Sequence, residues 1–454
     1  MPSTPLAAIA APLALLAGCT ALSESTPPRP PNVLLIVSDD AGYADFGFHG
    51  GELFPTPRLD ALASEGVQFG QAYVSASVCS PSRAGLLTGR YQQRFGHEHN
   101  FSGNSGPEVG LPVGETTLAD ALGAQGYHSI VLGKWHLGYG PDMHPNARGF
   151  DEFYGFLQGS RSFWAIEGNE RNRLQRDGVP VVESFEYMTQ ALADEAAAFV
   201  ARRADADPDQ PWFAYLSFNA VHTPMHALDG DLATIDALPG AHALNPQRRD
   251  LAAMTVAMDR SIGTVLDALE AHGVADDTLV VFVNDNGGAW NNASSNAPLR
   301  GTKGTPYEGG VRVPMLVRWP GVMPPDTRYE LPVSTLDVFA TSVAAAGGEL
   351  LPEPALDGVD LRPFVTGETA ERPHEGLFWR RRDNRAVRVL DWKLVSYDAG
   401  PVELYDLAHD PREQDDVSAR HPSFVAQLEA VYAAWASGLV PPAWKSSASD
   451  PRPP

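Results

Sequence analysis

Four unbroken runs of apolar residues, each as long as one β-strand, constrain the fold of this chain most strongly. The runs are 32–38, 128–133, 212–218 and 278–284. Apolar residues that do not alternate with polar ones are typical of strands buried on both faces, as in a parallel sheet covered by helices. Segments with helical periodicity, such as 185–201 and 254–272, lie between the runs. The sequence therefore predicts an α/β fold with a large, mostly parallel central sheet.

Polar or charged residues follow each of these runs directly or within a few positions. They are Asp39 and Asp40, Lys134 and His136, Asn219 and His222, and Asp285 and Asn286. Ligand groups in open α/β sheets gather at the carboxyl ends of the strands. At such a place the carboxylates of Asp39 and Asp40 would repel each other unless a cation lay between them. Two adjacent aspartates alone, however, more often belong to a turn or a helix cap. The chain therefore carries candidate catalytic or ligand groups at four strand ends.

Oxygen donors among these residues indicate which metal would suit the site. Asp39, Asp40 and Asp285 supply carboxylates, and Asn286 supplies an amide. Ligation by oxygen alone favours calcium over zinc. The sequence therefore predicts a site for one calcium ion.

The segment around Cys79 combines a helix start with a reactive side chain. Ser80 is a favourable N-cap and Pro81 suits a first helical position, so a buried helix is expected from this point. Cys79 would then lie at a helix N-terminus, which favours anions, and Arg83 would point back to the same place. A small buried cysteine before a capped helix is also common in protein cores. The residues alone leave catalysis and packing open as roles for Cys79.

Four longer motifs in this chain resemble those of a single protein family. The chain carries CSPSRAGLLTGR at 79–90, GKWHLG at 133–138, HTP at 222–224 and RGTK at 300–303. Together these segments resemble the motifs of the type I sulfatases, a family within the alkaline-phosphatase-like superfamily. The resemblance covers about residues 32–435 and implies a sulfuric ester hydrolase. Asn284 departs from the family, which usually has Ser or Thr at that position.

The resemblance also implies roles for individual residues. In this family the cysteine matching Cys79 is converted to formylglycine, whose hydrated aldehyde attacks sulfur, so a formylglycine-generating enzyme would be a partner. His222 or Lys303 would protonate the leaving oxygen, and His136 would deprotonate the second hydroxyl to release sulfate. Arg83 and Lys134 would hold residue 79 and offset the negative charge on the sulfuryl oxygens. Calcium would be bound by Asp39, Asp40, Asp285, Asn286 and residue 79 itself.

Three further residues are candidates for substrate contacts. His97 and His99 lie in a polar loop after the Cys79 segment, and Arg161 lies near a predicted pocket rim. The two histidines could instead be metal ligands or, more simply, exposed residues of the loop, and loop packing is the simpler explanation for Arg161.

The N-terminal region predicts an anchored protein. Residues 6–17 form an apolar run too short to span a membrane, and it ends in the sequence LAGC at 16–19. This ending resembles the lipobox of bacterial lipoproteins and implies lipidation of Cys19 and attachment to the cell envelope. An ordinary secretory signal is the alternative.

Composition shifts predict the domain organisation. We expect a signal peptide at 1–19, a flexible linker at 20–31, a catalytic domain at 32–372, a small domain with an antiparallel sheet and one helix at 373–440, and a disordered tail at 441–454.

The net charge of the chain limits the classes of molecule that it can bind. The formal net charge of -23 disfavours binding to nucleic acid. We expect a sulfatase acting on a sulfated carbohydrate or an aryl sulfate. The alternatives are a phosphomonoester or phosphonate hydrolase of the same superfamily and a non-catalytic carbohydrate-binding lipoprotein.

Overall fold

The computed structural model describes residue 2 and residues 29–167, 172–350 and 354–446. Cys19, the predicted signal peptide and most of the predicted linker lie outside the described residues. Within the described part of the chain, no helix is both long enough and apolar enough to cross a membrane.

Strands and helices are interspersed along the described residues from Asn32 to Ala345, as predicted. The strands are β1 Asn32–Ser38, β2 Val67–Phe69, β3 Ala72–Tyr73, β4 His128–Lys134, β5 Glu152–Phe156, β6 Gln175–Arg176, β7 Val179–Pro180, β8 Trp212–Ser217, β9 Thr278–Asn284, β10 Arg312–Val313, β11 Met315–Arg318, β12 Thr327–Tyr329, β13 Val333–Ser334, β14 Gly376–Arg381, β15 Asn384–Val389, β16 Trp392–Ser396 and β17 Val402–Asp406. The helices are α1 Pro57–Ser64, α2 Cys79–Thr88, α3 Leu118–Gly123, α4 Met188–Ala206, α5 Asp229–Asp236, α6 Pro246–Ala271, α7 Glu308–Val311, α8 Asp337–Ala345, α9 Arg362–Val365 and α10 Pro422–Ala436.

The central sheet has ten strands in the order β12-β2-β11-β9-β1-β8-β4-β5-β6-β7. Its middle five strands, β9-β1-β8-β4-β5, are all parallel to one another. Antiparallel pairing begins at β11 on one side and at β6 on the other. All four predicted apolar runs therefore lie in the parallel middle of the sheet, and the predicted fold class is confirmed.

Two apolar layers cover this sheet, one on each face. Along β1, Val33, Leu35 and Val37 pack into one layer, whereas Leu34 and Ile36 pack into the other. Because successive side chains of a strand point to opposite faces, a strand covered on both faces needs apolar residues at every position. This explains the unbroken runs in the sequence.

Two long helices extend beyond the ends that their periodicity predicted. Helix α4 runs to Ala206, and α6 begins at Pro246, two turns before the expected residue 254. The side chain of Asn245 caps α6 by accepting a hydrogen bond from the backbone N–H of Arg248. Polar residues in the first turns of α6 hid this start, since they do not follow the apolar periodicity.

A second, smaller sheet forms near the C-terminus. Strands β14 to β17 form an antiparallel meander, and α10 packs on it, as predicted. The other face of this sheet carries Leu377, Trp379 and Val395, which belong to the same apolar cluster as the central sheet. The small sheet is therefore continuous with the main core and is not a separate globule.

The tail predicted to be disordered from residue 441 differs from this expectation over 441–446. Ala443 donates its backbone N–H to the carbonyl of Gly96, at 2.9 Å. The indole of Trp444 packs edge-on against His97, with ring centroids 4.7 Å apart. Aromatic contacts of Trp444 with His97 and Phe101, together with this backbone hydrogen bond, hold these residues although the surrounding composition is polar and rich in proline. Residues 447–454 lie outside the described part.

Candidate active site

Four neighbouring strand ends bring the predicted groups to one edge of the central sheet. Strands β9, β1, β8 and β4 lie side by side and run in the same direction. Their carboxyl ends are followed by Asp285, by Asp39 and Asp40, by His222 and by His136. The N-terminus of α2 adds Cys79 to the same place, where it lies beside Asp39.

The oxygen and sulfur atoms at this edge converge as metal ligands do. One ligand atom from each of Asp39, Asp40, Cys79 and His222 lies within 4.8 Å of the other three. Asn286 joins this group, because its Nδ2 donates to Asp40 Oδ1 at 2.8 Å. The sequence assigned His222 to proton transfer only, whereas its ring is close enough to be counted among the ligand atoms.

A buried oxygen without a partner supports a cation at this position. Among the described residues, Asn286 Oδ1 accepts no hydrogen bond although its side chain is fully buried. A buried acceptor without a donor is costly unless something else binds it. Burial and the neighbouring Asp285 raise the pKa of Asp39, as expected for packed carboxylates. The donor set of carboxylate and amide oxygens suits a hard cation such as calcium.

Three positively charged side chains surround the carboxylates. Lys134 Nζ lies 2.6 Å from Asp39 Oδ2, and Lys303 Nζ lies 2.6 Å from Asp40 Oδ1. Arg83 binds Asp285 through two nitrogens, Nε at 2.9 Å and Nη2 at 2.8 Å. Formal charges therefore balance without a metal, and a divalent cation would leave an excess of positive charge for an anionic substrate.

Cys79 lies at the centre of this arrangement. Its Sγ is 3.0 Å from Lys303 Nζ and 3.7 Å from Asp39 Oδ1. Burial raises the pKa of the Cys79 thiol to about 12, against the opposing effect of the two lysines. The unmodified thiol is therefore protonated at neutral pH and is a weak nucleophile.

The predicted cap of α2 is wrong. The helix begins at Cys79, its N-cap is Val78, and Pro81 is its third residue. Ser80 does not cap the helix, because its hydroxyl donates to the carbonyl oxygen of His136 at 2.8 Å and contacts His97 Nε2 at 2.6 Å. Tertiary partners thus override the local preference of serine for caps. This bond also ties α2 to the loop that follows β4.

The two histidines differ in their environments. His136 adopts a left-handed backbone conformation with φ of 56°, and its ring packs closely against Gly159. Burial and then Lys134 lower its pKa, and its buried Nδ1 has no partner among the described residues. His222 Nε2 lies 3.4 Å from Asp40 Oδ2, and burial lowers the His222 pKa to about 4. Both rings are therefore neutral near pH 7 in the protein without a metal.

Asn284, the position that departs from the family motif, connects the ends of two strands. Its Oδ1 accepts hydrogen bonds from the Ser38 hydroxyl at 2.8 Å and from the backbone N–H of Ala41 at 3.3 Å. Its Nδ2 donates to the carbonyl of Ala41 at 2.8 Å. The amide therefore fixes the segment carrying Asp39 and Asp40 against β9.

The three predicted substrate contacts do not line the pocket that contains Cys79. His97 is fully buried under Trp444, and His99 is also buried. Arg161 is buried in a two-pronged ion pair with Glu183, with distances of 2.7 and 2.6 Å. The structure thus places these three side chains outside the pocket wall, and a contact between them and the substrate stays a prediction.

Other residues line that pocket and were missed in the sequence. The cavity above Cys79 is open to solvent and has a volume of about 280 Å³. Its wall includes Asn100, Phe101, Gln158, Ser160 and Trp290. The positions of these side chains depend on loop folding, which no local pattern predicts. Trp290 alone could have been suspected from the sequence, because it follows the candidate metal ligand Asp285 by only five positions and must therefore lie near the site.

Comparison with known proteins agrees with this geometry. The sequence model of the family described as Sulfatase matches residues 31–348, which contain every residue of the site described above. The chain belongs to the sulfatase family. A second model, described as N-sulphoglucosamine sulphohydrolase, C-terminal, matches residues 302–430 of this sulfatase.

Individual relatives cover most of the chain. Human N-acetylgalactosamine-6-sulfatase is 35% identical over 392 residues, spanning 81% of this chain and 72% of the human protein. Mouse arylsulfatase J is 29% identical over 467 residues, spanning 88% of this chain and 74% of the mouse protein. The crystal structure of Ps i-CgsB in complex with k-i-k-neocarrahexaose superposes with a TM-score of 0.87 at 34% identity, covering 93% of this chain and 96% of the other. The present sulfatase is accordingly an enzyme that hydrolyses sulfate esters.

Proposed function

We propose that this sulfatase releases sulfate from a sulfated carbohydrate by means of a formylglycine made from Cys79 and a bound calcium ion. One observation carries the proposal most directly. The side chain at position 79 lies where four strand ends meet, 3.0 Å from Lys303 Nζ and 3.7 Å from Asp39 Oδ1. This placement brings the nucleophile position, cationic groups and metal-ligand oxygens within reach of a single sulfate group.

Asp39, Asp40, Asp285 and Asn286 are the residues that would hold calcium. The unpartnered Oδ1 of Asn286 and the convergence of the other ligand atoms support this assignment. When bound, the ion would supply positive charge to the sulfate oxygens and lower the pKa of a hydroxyl at position 79.

Formylglycine at position 79 would supply a nucleophile that can be regenerated, because its hydrate has two hydroxyls. Arg83 and Lys134 would hold the site together and offset negative charge on the substrate. Lys303 and His222 are the two candidate donors to the leaving oxygen, and Lys303 Nζ lies 3.0 Å from Cys79 Sγ. His136, neutral and with an unpartnered Nδ1, would take up the proton during release of sulfate.

The similarity to carbohydrate sulfatases supports a sugar as substrate. Ps i-CgsB is bound to a carrageenan oligosaccharide, and the human relative is named for N-acetylgalactosamine. Proteins of one fold act on many different substrates. The particular sugar that this enzyme accepts therefore depends on the side chains in the wall of the pocket.

Mass spectrometry of the tryptic peptide 59–83 tests the nucleophile. We expect formylglycine at position 79 in enzyme purified from its own host, together with sulfate release from sulfated glycans. The Cys79→Ala variant should fold and release no sulfate. An unmodified thiol in active enzyme would overturn the proposal. A preference for phosphate over sulfate esters would favour the phosphoesterase alternative, and glycan binding without turnover would favour the non-catalytic one.

A formylglycine-generating enzyme is the maturation partner that this chemistry requires.

We also propose that Cys19 is lipidated and anchors the enzyme to the bacterial cell envelope. The LAGC sequence at 16–19 supports this proposal. Cys19→Ala should move the enzyme from the membrane fraction to the soluble fraction while its sulfatase activity is retained. A variant that stays with the membrane would exclude the lipid anchor.

A further inference from the structure

One aromatic side chain at the mouth of the pocket is unusually exposed to solvent. Trp290 is 50% exposed, and no other tryptophan or phenylalanine among the described residues is as exposed. It lies on the rim of the cavity that contains Cys79, His222 and Lys303. Exposing an indole costs free energy, so an exposed tryptophan at a pocket mouth indicates a binding surface.

The turn that carries Trp290 is held rigidly. Asn292 is fully buried, and its Nδ2 donates to the carbonyls of Asp40 at 3.1 Å and Val221 at 3.0 Å. The Ser294 hydroxyl donates to the same carbonyl of Asp40 at 2.7 Å. These bonds connect the Trp290 turn to the backbone of a residue in the proposed metal site. The turn that carries the indole is therefore held in place relative to the sulfate-binding end of the pocket.

The rest of the pocket wall carries no charge. Among the described residues that line the cavity, those with an ionisable thiol, imidazole or ammonium group are Cys79, His136, His222 and Lys303. All four surround the position of the sulfate. The wall beyond them is made of amides, hydroxyls, glycines and aromatic rings, including Asn100, Gln158 and Tyr139.

An uncharged wall of this kind suits the hydroxyl groups of a neutral sugar. A carboxylate or a second sulfate group placed against it would lose water and gain no cation in return. The flat face of a sugar ring presents C–H groups, which pack well on an aromatic ring, while its hydroxyls bind amides at the edge. An indole at the mouth and amides further in provide both kinds of contact.

We propose that Trp290 is the platform for a neutral sugar unit linked to the sulfated one, and that it selects oligosaccharides without uronic acid next to the cleaved sulfate ester. This inference rests on the proposed function, because the sugar on Trp290 would belong to the alcohol that leaves when the sulfate ester is cleaved at the same site. Trp290 acts as a specificity-determining residue. It contacts the substrate away from the reacting atoms.

Kinetics on matched substrates test the platform. We would compare a κ-neocarrageenan hexasaccharide, in which each galactose 4-sulfate is linked to an unsulfated sugar, with free galactose 4-sulfate, using the wild-type enzyme, Trp290→Ala and Trp290→Phe. Loss of stacking should raise KM for the hexasaccharide at least fivefold in Trp290→Ala with little change in kcat. The same variant should act on the monosaccharide within twofold of wild type, and Trp290→Phe should restore most of the lost affinity. Equal losses on both substrates, or no loss on either, would overturn the proposal.

Two controls separate this inference from the proposed function. Trp164 is a half-buried tryptophan that stacks on His226 and does not line the pocket, so Trp164→Ala should leave KM for the hexasaccharide unchanged. A chondroitin 4-sulfate hexasaccharide, in which uronic acid is linked to the sulfated sugar, should react at least tenfold less efficiently than the κ-neocarrageenan hexasaccharide, in which the linked sugar is uncharged. Preference for the uronate-containing substrate, or activity on the monosaccharide alone, would overturn the inference and leave the sulfatase intact. Failure to release sulfate from any ester would instead refute the proposed function.

Discussion

At the scale of single residues, Asp285 connects the proposed metal site to the arginine that supports it. Its Oδ2 binds Arg83 at 2.9 Å, and its Oδ1 lies 3.4 Å from the backbone nitrogen of Asp40. Asp285→Ala should therefore lose both calcium and sulfatase activity, because the site loses a ligand and leaves Arg83 buried without its partner. Metal analysis of the purified variant beside a sulfate-release assay measures both effects.

Asp259→Ala is the matched control for the loss of a buried carboxylate. Asp259 accepts backbone hydrogen bonds from Arg58 and Leu59 at the start of α1. This control should be less stable yet keep its calcium. Unchanged metal content in Asp285→Ala would exclude Asp285 as a ligand.

Gly159 leaves room for the ring of His136. A Cβ built at position 159 would lie 2.6 Å from Cε1 and 2.7 Å from Nε2 of that ring. Gly159→Ala should therefore displace the imidazole and lower kcat by roughly tenfold to a hundredfold. Steady-state kinetics on an aryl sulfate gives the measurement.

Gly230→Ala serves as the control for Gly159→Ala. A Cβ at Gly230 would meet no atom within 4 Å, so its kinetics should match wild type. Wild-type kcat in Gly159→Ala would show that the position of His136 is not critical.

At the scale of secondary-structure elements, a buried histidine fixes the start of α8 to the segment before β14. His374 Nε2 lies 2.9 Å from both carboxylate oxygens of Asp337, the first residue of α8. Burial is the largest single effect and lowers the pKa of His374. The charge of Asp337, its hydrogen bond and the charge of Asp357 together raise the pKa by more, so it lies above its usual 6.5.

This ion pair makes stability depend on pH. Because the folded state holds the proton more tightly, the pair stabilises the fold fully below pH 6.5 and loses this contribution as pH rises through the raised pKa. Urea unfolding should show wild type losing stability from pH 6 to pH 8 relative to His374→Gln. Parallel pH profiles of the two proteins would contradict the assignment.

At the scale of the whole molecule, a buried charge network connects the small sheet to the main domain. Lys393 of β16 binds Glu308 of α7 at 2.9 Å and Glu413 at 3.0 Å, with all three side chains inaccessible to solvent. Lys393→Met would leave two carboxylates buried without their cation. We expect a loss of about 3–5 kcal/mol in the free energy of unfolding.

A surface pair on the neighbouring strand provides the comparison. Arg385 of β15 and Glu429 are each 41% exposed, at a distance of 3.1 Å. Arg385→Met should cost less than about 1 kcal/mol. Similar unfolding midpoints for the two variants in urea would show that the buried network does not stabilise the contact between the sheets.

Much of this architecture was predictable because burial leaves a mark on the sequence. The run at 278–284 corresponds to β9 residue for residue, and the small meander followed by one helix was also expected. Helix ends were less predictable. Ser80 is a favourable cap by local preference, yet its hydroxyl binds the carbonyl of His136, which lies 56 residues away.

The sequence by itself determined a parallel sheet and the polar groups at the ends of its strands, because both follow from rules that act within a few residues. Only the tertiary structure decided which side chains enter the pocket. His97 and Arg161 are polar and lie in loops, yet they are buried away from it, whereas Trp290 is exposed on its rim. The turn of Trp290 is held through Asn292 by the carbonyl of Asp40, which lies 252 residues earlier. Contacts across such separations leave no local pattern, so the shape of the pocket wall emerges only when the chain has folded.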